Sequence, residues 1–188
     1  MNKSQGEQFL SLCAHRHSVR SYDPARPVDK ALLERIIHAA QCGPSAGNLQ
    51  GWRVHVVDCS KQPLSLRVRL YGARWFENVP TIIIFSALRL ESSKKYKDRG
   101  RDLYSVQDAT IAATLAMMEA TALGLATCWL GAFNDTVAKE MLGMAPGRDE
   151  DPIILLTVGY EKPDPNALVD PNPLRPKPRK HDYEVTYL

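Results

Sequence analysis

The chain has 188 residues, of which 44% are hydrophobic and 24% charged, and its formal net charge is +3. These values are typical of a soluble globular protein of one domain and exclude a disordered, collagen-like or coiled-coil chain. The longest apolar runs, Ile82 to Phe85 and Ile153 to Val158, are far shorter than the ~20 residues that span a bilayer. The N-terminus also lacks the apolar core of a secretion signal, so we expect a cytoplasmic protein with no membrane span.

The cysteines and histidines give no sign of a metal site. Cys13, Cys42, Cys59 and Cys128 form no CxxC pair, and the five histidines are dispersed without an HExxH motif. We therefore expect reduced cytosolic thiols and no bound metal.

The first half of the chain predicts two helices joined by an extended segment. Ser4 and Glu7 fit a capping box that would begin a helix over residues 4–14. Residues 16–22 are polar, basic and followed by two prolines, which predicts a non-helical connection. Asp29 then fits the N-cap of a second amphipathic helix, which Gly43 and Pro44 would end.

The middle of the chain predicts two strands, at Val54 to Val57 and at Ile82 to Phe85. Between them, residues 63–76 are ambiguous, and we favour a helix. Residues 90–101 carry many charges and no apolar stripe, which predicts a solvated loop or lid.

The longest helical pattern begins at Ser105 and Asp108 and ends at Gly124. It is apolar on most of its circumference, which is typical of a central, buried helix. The pattern then predicts a strand over residues 127–130, a helix over residues 135–142 and a strand over residues 153–160.

The last 28 residues form a segment of different character. Six of the 13 prolines lie between Pro163 and Pro178, which favours an extended chain, and Tyr183 to Leu188 alternates like a strand. An extended arm that ends in a strand needs a surface on which to dock, and another subunit could provide it.

Three segments carry residues suited to ligand binding. Arg16, Ser18 and Arg20 alternate in an extended segment, so their side chains point the same way and could hold a phosphate. The loop from Pro44 to Gln50 offers amide groups and small residues, and Gly131 would allow close approach to the main chain. Each signal alone is weak, because exposed arginines are usually only solvated and Gly43-Pro44 explains a helix end by itself.

Taken together, these segments resemble the nitroreductase family of FMN-dependent oxidoreductases. The resemblance rests on RHSVRSYD, on LLERIIHAA leading into GPSAGNLQGWRVHVV, on ATALGLATCWLGAF, on IILLTVGY and on PKPRK, in the expected order over nearly the whole chain. It implies an α+β fold, with a mainly antiparallel central sheet flanked by helices, formed by one domain over residues 1–188. The arm, from about residue 161 to 188, would be exchanged across a homodimer.

The resemblance also implies which residues bind FMN. Arg16 and Ser18 match the phosphate and ribityl end, Arg20 matches the cation near the N1/C2 carbonyl side of the ring, and His17 lies between them. The loop that would reach the flavin from the partner subunit corresponds to Pro44, Ser45, Ala46, Asn48 and Gln50. The main chain near flavin N5 corresponds to Leu130 and Gly131. The basic residue of the tail corresponds to Arg179, with Lys177 and Lys180 as alternatives.

The implied activity is ping-pong hydride transfer from NAD(P)H through FMN to a nitroaromatic, a quinone or a similar electron-poor acceptor. No catalytic acid–base pair is needed. We expect the open face of the flavin to meet Trp75, Phe76 and residues 90–104. A flavin-binding sensor or carrier without turnover is the alternative, whereas the acidic residues of the arm argue against nucleic-acid binding.

Overall fold

The computed structural model describes residues 4–162, which form helices on both faces of one sheet. The helices are α1 (Gln5–His15), α2 (Lys30–Gln41), α3 (Leu64–Leu70), α4 (Arg89–Arg99), α5 (Ser105–Ala122) and α6 (Asp135–Met141). The strands are β1 (Trp52–Asp58), β2 (Thr81–Ala87), β3 (Ala126–Leu130) and β4 (Asp151–Gly159).

The sheet has the order β1-β2-β4-β3, and every neighbouring pair is antiparallel. In the two central strands, β2 and β4, nearly all consecutive residues are buried. Because side chains alternate between the two faces of a strand, both faces of these strands are covered. Ile82 and Ile84 face a core shared with α3 and α6, whereas Ile83 and Phe85 face the core under α2 and α5. The predicted α+β class and mainly antiparallel sheet are therefore confirmed.

Helix α5 packs its alanines, not its large residues, against the core. The fully or nearly fully buried positions on this face are Ala109, Ala112, Ala113, Ala116 and Ala120. Small side chains let the helix approach the sheet and α2 closely. The larger residues Ile111, Leu115 and Met118 are only half-buried, so the helix leaves an apolar row partly exposed.

Helix α1 begins with the predicted capping box. Ser4 Oγ accepts from Glu7 N at 3.3 Å, and Ser4 N donates to Glu7 Oε2 at 2.7 Å. No residue of α1 is buried, and Phe9 and Leu10 are 59% and 68% exposed. This helix therefore leaves further apolar surface uncovered.

Three sequence expectations differ from the structure. Residues 90–101 are not a loop, because Arg89–Arg99 form α4 and a π-helical turn over Gly100–Tyr104 joins it to α5. The buried positions here are Ser92 in α4 and Gly100 directly after it, and neither is a large apolar residue, which explains why no apolar stripe marked the helix. Residues 63–76 are helical only in α3 and in a 3-10 turn that begins at Arg74, and Asp29 occupies the N-cap position without a side-chain cap bond.

A buried carboxylate directly before β4 pairs with basic side chains at one end of the sheet. The Glu150 side chain is fully buried and pairs with Arg53 at 2.6 Å, with Arg148 at 3.0 Å and with His55. The adjacent Asp151 binds Arg89 at 2.5 Å, so the first residue of α4 is held at the same corner. Burial acts to raise the pKa of Glu150, but the hydrogen bonds of His55 and Arg53 outweigh it and lower the pKa below its ordinary value.

Within residues 4–162, no helix is long and apolar enough to cross a bilayer. The same residues contain no group of three or more His, Cys, Asp or Glu side chains placed to hold a metal ion.

We expect Glu150→Gln to lower the free energy of unfolding by about 2–3 kcal/mol near pH 7, because it removes a buried charge and leaves its cations unpaired. A lowered pKa stabilises the fold above pH 4.5, the ordinary value for glutamic acid, and this contribution is lost as pH falls through the folded-state pKa. Urea unfolding should therefore show a wild-type advantage at about pH 7 that narrows by about pH 4. A difference in unfolding free energy between wild type and Glu150→Gln that stays the same at both pH values would contradict the stabilising role of the Glu150 carboxylate.

Candidate functional site

The segment over residues 16–22 runs extended beside β3. Val19 N donates to Thr127 O at 2.8 Å, and Lys162 N donates to Ser21 O at 3.1 Å. Tyr22 is 2% exposed, and its hydroxyl donates to Val19 O at 3.0 Å. Desolvation by this burial raises the pKa of Tyr22 well above its usual range, so it stays a neutral donor. These contacts fix which side chains of the segment face the same way.

Arg16, Ser18 and Arg20 all act on the pKa of the Cys128 thiol, which lies on β3 beside this segment. Burial raises the pKa of Cys128, and Arg20, a hydrogen bond with Ser18, and Arg16 act in the opposite direction. Neither arginine has an acidic partner among residues 4–162. Two uncompensated guanidinium groups and a hydroxyl on one side suit an anionic ligand.

His17 lies apart from this group. Its side chain, together with His15, Thr121 and Gly124, lines a different cavity of about 200 Å³, and its Nδ1 contacts His15 O at 3.0 Å. Within the described residues, the imidazole is thus not part of the group formed by Arg16, Ser18 and Arg20.

The loop after α2 adopts an unusual backbone conformation. Gly47, Asn48 and Gln50 have φ angles of 56°, 57° and 51°, in the left-handed region. Such angles are costly for Gln, and they persist at sites where the surrounding contacts determine the loop. Ser45 Oγ accepts from Gln50 N at 2.9 Å, and the side chains of Asn48 and Gln50 remain exposed.

Asp108 fixes the same loop and was not recognised as a site residue from the sequence. Its side chain is 3% exposed, and Oδ1 accepts from Ala46 N at 3.0 Å. The other oxygen, Oδ2, is enclosed without a hydrogen-bond partner among residues 4–162. The available signal was its position one turn before Ala112 on the alanine face of α5, where a carboxylate needs a specific partner.

The loop, α4 and the start of α5 enclose a cavity of about 650 Å³. Its lining comes from Pro44, Ser45, Ala46, Tyr96, Tyr104, Val106, Gln107, Asp108, Thr110 and Ile111. Trp75 and Phe76, which we expected at the open face of the flavin, are not among these residues. Phe76 is 1% exposed and Trp75 packs against it, with Tyr71 and Tyr22, in the core below the other face of the sheet.

Leu130 and Gly131 lie at the end of β3, on the same strand as Cys128. Leu130 is buried and pairs with Leu155 in β4. Gly131 is exposed, and a Cβ added there would meet no described atom within 4 Å. Internal packing therefore does not require this glycine, and the main chain is open to approach from outside.

The structure places the predicted site residues in two separate groups. The loop group contacts α5 through Asp108, near the N-terminal end, whereas the segment over residues 16–22 lies near Thr121, at the other end. Asp108 and Thr121 are 13 positions apart in the sequence, which corresponds to about 20 Å of helix. One chain therefore does not bring the groups together, and Lys177, Arg179 and Lys180 lie outside the described residues.

Comparison with known proteins identifies relatives that match most of this chain. A relative from Archaeoglobus fulgidus, provisionally named NADH dehydrogenase/NAD(P)H nitroreductase, is 27% identical over 158 residues, or 83% of this chain and 87% of the relative. A crystal structure of a nitroreductase family protein from Clostridium difficile 630 is 28% identical, with a TM-score of 0.68, and covers 89% of this chain and 88% of that one.

A further structure shares the fold. An FMN-dependent nitroreductase from Clostridium difficile R20291 is 24% identical, with a TM-score of 0.65, over 82% of this chain and 88% of its own. The sequence model of the nitroreductase family matches residues 13–65 and 61–160. With most of its length matched, the chain belongs to the nitroreductase family and is an oxidoreductase of that fold.

Proposed function

We propose that this protein is an FMN-dependent oxidoreductase that uses NAD(P)H to reduce nitroaromatic, quinone or similar electron-poor acceptors. The strongest support is that Arg16, Ser18 and Arg20 alternate in an extended segment and all act on the pKa of Cys128, and that neither arginine has an acidic partner among residues 4–162. The name of the Archaeoglobus relative supports NAD(P)H as the donor, and that of the Clostridium difficile R20291 protein supports FMN as the cofactor.

The residues present fit FMN. Arg16 and Ser18 would hold the dianionic phosphate, with Arg179 of the arm as an additional cation, and Arg20 would stabilise negative charge on the ring. Gly131 leaves its surroundings open, so the main chain of Leu130 and Gly131 could donate to the flavin without obstruction. Bound flavin would supply the hydride chemistry, and the protein would supply placement and electrostatics.

The opposite face of the site would come from a second copy of the chain. Asn48 and Gln50 project from a loop whose conformation is fixed by Ser45 and Asp108, but this loop lies about 20 Å of helix from the arginine cluster. An antiparallel arrangement of two α5 helices about a two-fold axis would bring the loop of one chain to the arginines of the other.

The same arrangement would cover exposed apolar surface. Ile111, Leu115 and Met118 of α5 and Phe9 and Leu10 of α1 are incompletely buried within one chain. The arm would begin in the correct place to continue onto the partner, since Glu161 pairs with Tyr22 beside the arginine segment. We therefore propose a homodimer in which residues 161–188 are exchanged.

We expect the purified protein to show the absorption bands of oxidised flavin and to lose them anaerobically on addition of NADH or NADPH. Arg16→Ala and Arg20→Ala should each weaken FMN binding about 10- to 100-fold, because each removes a charge-assisted contact. Fluorescence quenching of FMN measures this affinity.

Arg35→Ala is a matched control, because Arg35 binds Glu119 on the surface between α2 and α5. A protein unable to bind FMN would refute the proposed function. Flavin that binds but is reduced by neither nucleotide would favour a sensor or carrier instead.

A mixed-dimer experiment tests whether each site spans two chains. Arg16→Ala/Arg20→Ala in one chain and Asn48→Ala/Gln50→Ala in the other should each abolish tight FMN binding when expressed alone. Co-expressed with different affinity tags, the mixed dimer should regain one site, because one arginine cluster and the opposing loop are both intact. Flavin content of the doubly purified protein gives the result, and no recovery would contradict a shared site.

We expect Asp108→Ala to free the Ala46 amide and weaken FMN binding about tenfold through disorder of the loop. Asp108→Asn should remain within about threefold of wild type, because an amide oxygen can still accept from Ala46 N. Hydrogen exchange at Ala46 reports the positioning effect independently of flavin. Unchanged exchange in the alanine variant would contradict it.

A further inference from the structure

The segment from α4 to the start of α5 holds cations that its acids do not neutralise. Arg89 binds Asp151, Lys94 binds Glu91, and Arg101 binds Asp98 and Asp102. Lys95 and Arg99 have no acidic partner among residues 4–162, and the acids of their own segment are already paired with other cations.

Lys95 and Arg99 each lie over a tyrosine that lines the 650 Å³ cavity, although neither cation is itself among the lining residues. Lys95 Nζ is 5.4 Å from the centroid of Tyr96, and the Arg99 guanidinium is 5.4 Å from that of Tyr104. Arg99 Nε also donates to the Tyr104 hydroxyl at 2.9 Å. The two rings pack edge to face with centroids 5.1 Å apart, so the two cation–ring pairs are neighbours.

This surface lies directly over the loop that we propose faces the flavin. A Cβ added at Gly47 would lie 2.4 Å from the Tyr96 hydroxyl and 2.8 Å from Lys95 Nζ. A side chain at Gly47 would displace these two side-chain ends, and the positive φ of this residue also favours glycine. Lys95 and Tyr96 are thus placed at the same loop as Asn48 and Gln50.

The carboxylate in the cavity wall does not neutralise these cations. Asp108 is 3% exposed, with Oδ1 bound to Ala46 N and Oδ2 enclosed within the wall. The polar groups that remain at the cavity surface are hydroxyls and the Gln107 amide, which can donate to an anion.

We propose that Lys95 and Arg99 form an anion subsite that selects substrates with an anionic group beside a planar ring. The ring would pack on Tyr96 and Tyr104, and the anion would meet the two cations. The inference rests on the proposed function, since it assigns the substrate class of that same site. The anion could be a carboxylate of the acceptor or a phosphate of the nicotinamide donor.

The test compares 4-nitrobenzoate with 4-nitrobenzamide, which differ in charge but little in shape. Titration of the oxidised holoprotein, followed by the flavin spectrum, gives both dissociation constants without turnover. We expect wild type to bind the benzoate about fivefold or more tightly, and Lys95→Gln/Arg99→Gln to bind both equally. Stopped-flow reduction by NADH and NADPH then gives the apparent affinity for each donor.

Lys94→Gln/Lys97→Gln is the matched control, because it removes two positive charges from the same helix at residues that do not lie over either tyrosine. This control should retain the preference. A fivefold loss confined to the donor affinity would support the subsite and assign its anion to the nucleotide.

Unchanged affinities for both acceptors and both donors in Lys95→Gln/Arg99→Gln would overturn the subsite, as would an equal loss in the control. A protein without reducible flavin would overturn the proposed function as well. A flavoprotein that is reduced normally, but whose affinities for acceptors and donors do not change in Lys95→Gln/Arg99→Gln, would overturn this inference alone.

Discussion

The close packing of the alanine face of α5 against the sheet determines the rest of the structure. Because Ala112, Ala113 and Ala116 occupy the core, the helix lies deep between α2 and the sheet and its larger side chains turn outward. The loop after α2 is held at one end of this helix by Asp108, and the arginine segment lies at the other end. A single rigid element thus keeps the two groups apart and leaves an apolar row between them. The proposed dimer follows from that separation.

A second constraint is the unequal distribution of buried and exposed charge. Glu150 is buried and satisfied by Arg53, His55 and Arg148, so this corner is structural. Arg16 and Arg20, by contrast, have no carboxylate in the described structure. Because like charges repel, two arginines without acidic partners in one short segment do not stabilise the fold. They suit the anionic ligand that we propose for this site.

The sequence predicted those features that depend on local spacing. The capping box of α1 follows from residue type and spacing, and the structure has it. The antiparallel sheet is implied by the resemblance to the family, and the structure has it too. Helix α4 was missed because its contacts use Ser92 and Gly100: a Cβ on Gly100 would lie 2.2 Å from Ser92 O. Close backbone packing of this kind leaves no hydrophobic pattern, and the role of Asp108 likewise depends on a partner 62 residues away.

The charges also connect cofactor binding with assembly. In the proposed dimer, the arginine cluster of one chain would face the loop of its partner, over which Lys95 lies. Without a ligand, this interface would bring cations together, and their repulsion would oppose the gain from covering Ile111, Leu115 and Met118. A dianionic phosphate bound at Arg16 would turn this repulsion between the chains into attraction. Because a ligand that binds only the assembled site stabilises the assembly by mass action, FMN and the partner chain would each strengthen the binding of the other.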